Sequence, residues 1–189
     1  MAIDWTEAML DQLRMHWDLQ LRPGLEGLTD EELRWEPVDG MWSVRAPGEG
    51  VGEVQAGSGR WLADWTFPEP DPPPMTTIAW RLGHIIIGVL GMRNHSHFGG
   101  PAIDYTSTEW WGTADAALAA LDEQYARWVA GVSTLGPEDL ARPVGPAEGP
   151  YAESPYAVLV LHIHREVLHH GAEVLLLRDL YRNRDTLHR

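Results

Sequence analysis

The chain contains no cysteine. Thiolate catalysis, disulfides and Cys-ligated zinc are therefore excluded, and a bound metal would have to be held by His, Asp or Glu. Lysine is also absent, all 14 basic residues being Arg. That removes a Schiff-base lysine, a P-loop lysine and any amine nucleophile. Positive charge is scarce: 28 acidic residues against 14 basic give a formal charge of −14. Nucleic acid and anionic membranes bind cationic surfaces that displace counterions, so neither is an expected partner. The longest near-apolar run, Ile85–Met92, falls far short of the ~20 residues that span a bilayer. The first residues, MAIDWTEAMLDQL, have neither a basic n-region nor an apolar h-region, so no signal peptide and a cytoplasmic location are expected. The Gly-rich stretch Gly48–Gly52 lacks the strand-then-helix setting of a dinucleotide fingerprint, and no G-x-S-x-G nucleophile elbow occurs.

What remains is a chain of 189 residues, 44% apolar and 22% charged, long enough for one domain with a substantial core. Residues 1–189 are read as a single domain. Four segments carry helical periodicity. The first begins after Asp4, with Trp5, Met9, Leu13 and Trp17 four apart, and ends before Pro23-Gly24. A short capping-box helix follows from Thr29, with Glu32 at its third position. The second main helix starts near Thr76-Thr77 and stops at Phe98 before Gly99-Gly100-Pro101. The third runs from about Thr113 to Val132, and the fourth from Pro155 past Leu180. Residues 37–75, with six Gly and seven Pro, form a long excursion between the first two. Two Trp-bearing runs in it, Met41–Arg45 and Arg60–Trp65, can pair as a small hairpin. The fold class expected is all-α, a four-helix bundle whose helix 1–2 excursion carries a small β-hairpin.

Chemistry concentrates in the histidines. Of nine, four lie within Leu161–His170. Residues four apart share a helical face, so His162, Glu166 and His170 form one stripe, with Glu173 about one turn further. A carboxylate and an imidazole so spaced converge on one cation. His84 is a third candidate, because a polar ring in the run IAWRLGHIII is expected to face the bundle interior and needs a partner there. Spacing alone does not choose between His162 and Glu166 as the partner of His170. A core histidine and a solvated His/Glu face account for the same pattern without any metal.

The segments MTTIAWRLGHIIIGVLGMRNHSHFGG and HIHREVLHHGAEVLLLRDLY, with the flanking helices, resemble the DinB/YfiT-like superfamily of metal-binding four-helix bundles. That superfamily includes mycothiol- and bacillithiol-dependent S-transferases and the mycothiol-dependent maleylpyruvate isomerase. The resemblance covers nearly the whole chain. It implies one metal-binding His in the second helix, here His84 in WRLGHI. It also implies a His or Glu followed four residues later by His on the last helix, here Glu166 and His170 in REVLHHGAE. Glu rather than His at the first of these positions is similar to the isomerase and mycothiol-transferase branches.

A site of two imidazoles and one carboxylate leaves coordination positions open, as catalytic sites do. It suits Zn²⁺ first, with Ni²⁺, Mn²⁺ or Fe²⁺ as alternatives. With no Cys in the chain, thiolate chemistry would require an external low-molecular-weight thiol such as mycothiol. Arg81 is positioned to hold a substrate carboxylate or, equally, to pair with an acid. Trp80 is read as pocket lining or core. His169 and Glu173 are expected to make contacts behind the ligands. The function expected is thiol-dependent S-transfer or isomerisation on a small molecule. The alternative is a stress-related protein that binds metal or a small molecule without turnover. Ten Trp in one domain suggest a homodimer through exposed apolar helix faces.

Overall fold

The computed structural model describes residues 3–186. Helix α1 (Trp5–His16) is capped by the Asp4 carboxylate on the Glu7 amide. It continues through a π-helical stretch, Trp17–Leu21, and a last turn, Arg22–Gly24. The chain thus carries helix through Pro23, past the stop expected before it. The buried face of α1 is Thr6, Leu10, Leu13, Trp17 and Leu21, whereas Trp5 is 62% exposed. A strict spacing of four overshoots the 3.6-residue turn by about 40° per step. The stripe Trp5–Met9–Leu13–Trp17 therefore winds from solvent into the core. Helix α2 (Asp30–Leu33) begins at Thr29, whose hydroxyl accepts from the Glu32 amide, as the capping box requires.

Helix α3 comprises Ile78–His84, a π-helical stretch Ile85–Gly91, and Met92–Phe98. Thr77 caps its start, and Gly99 ends it in the left-handed conformation that glycine tolerates. Helix α4 (Ala114–Val132) is capped by Thr113. A short α5 (Pro137–Ala141) and a 3-10 segment (Pro146–Tyr151) lead into α6 (Tyr156–Arg182). The four long helices pack around one apolar core that includes Leu13, Trp17, Ile86, Leu121, Trp128, Val160 and Val167. The chain ends of α3 and α6 run antiparallel: His84 meets His170, and His97 meets Tyr156.

The excursion folds as expected and adds one strand. Strands β1 (Val44–Arg45) and β3 (Leu62–Trp65) pair antiparallel. A third strand, β2 (Val54–Ala56), lies on the other side of β3, giving the order β1-β3-β2. Asp64, fully buried, organises the sheet: its carboxylate accepts from the Ser43 and Val51 amides and from Arg45 Nε. Its carbonyl accepts from Trp80 Nε1 at 3.0 Å, which ties the sheet to α3 one turn before His84. On the opposite side, buried Arg178 of α6 bonds Glu32 at 2.7 Å and the Gly24 and Glu26 carbonyls, closing α1 and α2 onto α6. Among the described residues no helix is long and apolar enough to cross a membrane.

Candidate metal centre

The antiparallel packing of α3 on α6 brings His84 beside His170, with Glu166 one turn before His170 on α6. The His84 and His170 rings meet edge to face, centroids 4.7 Å apart. Glu166 Oε2 lies 3.3 Å from His170 Nε2 across one turn of α6. His84 is the last residue before the π-helical stretch, where helix geometry shifts from the i−4 to the i−5 pattern; such insertions recur at functional sites.

Each histidine is held by its Nδ1 edge. The Tyr105 hydroxyl lies 2.7 Å from His84 Nδ1. Glu173 Oε2 lies 2.7 Å from His170 Nδ1, so this nitrogen carries the proton and donates. Among the described residues no hydrogen bond reaches His84 Nε2. His84 Nε2 is thus left over, and His170 Nε2 faces Glu166 Oε2 at 3.3 Å, while Glu166 Oε1 accepts from Arg165. An oxygen partner behind each ring is how metal-binding histidines are oriented. Protonation states fit as well. Burial pushes His84 down to about 4, helped by the charges of His170 and Arg81 against those of Glu166 and Glu173. At neutral pH it is the neutral imidazole that can ligate. Burial also acts to raise the Glu166 carboxyl. The Arg165 hydrogen bond, with His162 and His170, outweighs that and leaves it below the usual carboxylate range. The donor set therefore fits a divalent cation of zinc type.

A second grouping shares His170. Ligand atoms of His169, His170 and Glu173 lie within 4.8 Å of one another, close enough to hold a metal ion. The donors of His84, Glu166 and His170 do not all approach that closely. Each set includes a carboxylate beside a guanidinium, Glu166 with Arg165 at 3.0 Å and Glu173 with Arg81 at 3.1 Å. They differ in that Glu173 is already engaged by His170 Nδ1. His169 is 62% exposed at its side chain, on the outer side of the stripe.

The remaining expected residues are placed as follows. Arg81 pairs with Glu173, and its Nη1 lies 3.3 Å from His170 Nδ1, so the acid-paired alternative is the arrangement present. Trp80 is buried, stacks on His84 with centroids 5.7 Å apart, and packs between Trp42, Trp65 and Trp110. Its place is in the wall behind the site. His169 contacts Glu173 at 3.4 Å. His162 lies 3.5 Å from Glu166 Oε1 and 2.7 Å from Arg165, one turn before Glu166 and about two turns before His170.

Tyr105 is the residue the sequence did not single out. It arrives from a loop whose turn is fixed by Asp104, whose carboxylate accepts from Ser107 and Thr106 and is held well below its ordinary range by those bonds. The loop lies against a glycine row on α3. A Cβ at Gly83 would overlap the Trp110 ring, one at Gly88 the Tyr105 hydroxyl, and one at Gly91 the Ile103 side chain. Burial keeps the Tyr105 phenol protonated by pushing its pKa above the ordinary value. Glycines inside an apolar helical run were the signal, since they cost stability unless something packs against them.

A four-helix bundle with a His/Glu site between its second and last long helices defines the class. The family model of the DinB superfamily matches residues 61–174, a span that contains His84, Tyr105, Glu166 and His170. The chain belongs to the DinB superfamily. No curated protein and no solved structure matches it.

Proposed function

We propose that this DinB-superfamily protein binds a divalent metal through His84, Glu166 and His170 and uses it in small-molecule chemistry with an external thiol, as an S-transferase or isomerase of the mycothiol-dependent type. The observation that carries the metal reading is the paired anchoring of the two rings. Tyr105 and Glu173 occupy the Nδ1 edges at 2.7 Å each, which leaves the Nε2 edges, with Glu166 Oε2 3.3 Å from that of His170, for one ion. Zn²⁺ is the first choice for two neutral imidazoles and a carboxylate, with Ni²⁺, Mn²⁺ or Fe²⁺ able to occupy the same donors. Such an ion supplies a stabilised thiolate at neutral pH and a Lewis acid for an electrophile.

The chain's own residues would do the rest. His84 is kept neutral by burial, and Tyr105 fixes its ring. Glu173 orients His170 and is itself charge-balanced by Arg81. The sheet residue Trp65, the helix residue Trp80 and the loop residue Tyr105 wall one side, with ring centroids 5.7 Å apart for Trp65 and Trp80 and 5.2 Å apart for Trp65 and Tyr105. The thiol must come from outside, because the chain has no Cys.

Two measurements test this. Metal analysis of protein purified without an affinity tag should find about one equivalent of a transition metal, lost in His84→Ala. Conjugation of monochlorobimane with mycothiol, bacillithiol and glutathione should then be accelerated by the metal-loaded protein with one of them. Metal without conjugation would leave the binding half standing and support the alternative of a non-catalytic binding protein. A metal-free protein would overturn both halves.

A further inference from the structure

Between the first turns of α6, the segment 144–154 and Arg93 of α3 lies a cavity of about 800 Å³, within the size range of small-molecule sites. Its apolar wall is Val144, Pro150, Tyr151, Val158 and Leu161. Three charged side chains line it: Arg93, Glu148 and Arg165. Glu148 is already committed, Oε1 to His97 at 2.9 Å and Oε2 to Arg93 at 3.3 Å, and its side chain is only 8% exposed. The lining is therefore net positive in a chain of charge −14.

Two donors at the cavity are free. Arg165 spends Nε and Nη2 on Glu166 and His162; among the described residues its Nη1 makes no hydrogen bond, and the side chain is 69% exposed. His162 uses Nδ1 on Arg165, and no hydrogen bond among the described residues reaches its Nε2. Both residues touch Glu166, at 3.0 and 3.5 Å. The cationic end of the cavity thus adjoins a proposed metal ligand, and the apolar wall leads away from it. Arg93 closes the other side by bonding the Gly88 carbonyl, one turn after His84.

We infer that this cavity binds an amphipathic carboxylate, its apolar body against Val158, Leu161 and Tyr151 and its carboxylate on Arg165 and His162 beside Glu166. The inference names the substrate class for the site under Proposed function and rests on that reading only for what happens next to the metal. An exposed guanidinium with a free N–H recognises a carboxylate directionally. An apolar wall of this extent favours an alkyl or aryl body through area removed from water.

The test is calorimetric titration of the full, untagged chain with octanoate and with octan-1-ol, in metal-free and zinc-loaded forms. Octanoate should bind at least tenfold more tightly than the alcohol. Val158→Trp, at an exposed helix position where the indole fills the cavity, should lose octanoate tenfold or more while binding zinc as wild type does. Arg165→Gln should bring octanoate down to the level of the alcohol. Equal binding of acid and alcohol, or undiminished octanoate binding by Val158→Trp, overturns the inference. The two readings fail separately. Octanoate binding in a protein that takes up no zinc keeps the cavity and removes the metal centre. Zinc uptake without octanoate binding in either form does the opposite.

Discussion

The Tyr105 hydroxyl sits 2.7 Å from His84 Nδ1 in space that a side chain at Gly88 would fill. A single missing Cβ on α3 therefore lets a loop residue 21 positions after His84 set the orientation of that proposed ligand. Tyr105→Phe should retain the fold and lower zinc affinity about tenfold or more, the usual effect of removing the group behind a metal-binding imidazole. Gly88→Ala should do the same while also destabilising the protein by ~1–3 kcal/mol, the cost of overpacking a filled site. Zinc titration against a competing chelator, alongside denaturant unfolding, separates the two variants. Wild-type affinity in Tyr105→Phe would show that packing alone orients His84.

The choice between the two overlapping donor sets can be made with four alanine variants. His84→Ala and Glu166→Ala should each lose tens-fold or more in zinc affinity. His162→Ala and His169→Ala should stay near wild type, since the former only flanks Glu166 and the latter faces solvent. Strong loss in His169→Ala with little in His84→Ala would place the ion in the His169, His170 and Glu173 cluster instead.

Glu148 pins the 3-10 segment Pro146–Tyr151 to α3 through His97 and Arg93. The His97 hydrogen bond, aided by Arg93 and opposed by burial, holds its carboxyl below the usual carboxylate range. A depressed carboxyl adds stability that is present above its unfolded-state pKa of ~4.3 and disappears as pH falls through the lower folded value. Glu148→Gln should therefore be less stable than wild type at pH 7 by about 1–3 kcal/mol, the cost of unmaking charge-assisted bonds. The gap should narrow as pH drops below ~4. A gap independent of pH would mean that the ionised form contributes nothing.

A homodimer remains the expectation for the assembly, and the surface suited to it lies where α1 meets α6. Trp5 (62%), Leu161 (55%) and Leu168 (36%) are exposed there along a shallow apolar groove that also includes Ala8 and Met9. Light scattering at micromolar concentration should give twice the 21.2 kDa chain mass, and Leu168→Arg should return it to the single-chain value. A single-chain mass for the wild type would overturn the expectation.

Local chemistry decides much of this protein, and it is written in the sequence. Thr29, Thr77 and Thr113 each cap a helix with their own hydroxyl. Gly99 ends α3 by its left-handed backbone preference alone. The i, i+4 spacing of Glu166 and His170 puts them on one face whatever else the chain does. What needed the tertiary structure was every relationship between elements. No pattern within α3 says that His84 will face His170, because that depends on the antiparallel packing of two helices far apart in the chain. The pairing of Tyr105 with His84 depends on a loop settling into a glycine row. The strand β2 escaped notice because its three residues are too short to show a period and gain their place only by pairing with β3. Arg81 could be read as a substrate clamp until Glu173 was found beside it. Capping and periodicity act within a turn or two of chain, so the sequence displays them directly. Burial, ion pairing and ring orientation are set by distant neighbours, and only the packed fold determines which neighbours those are.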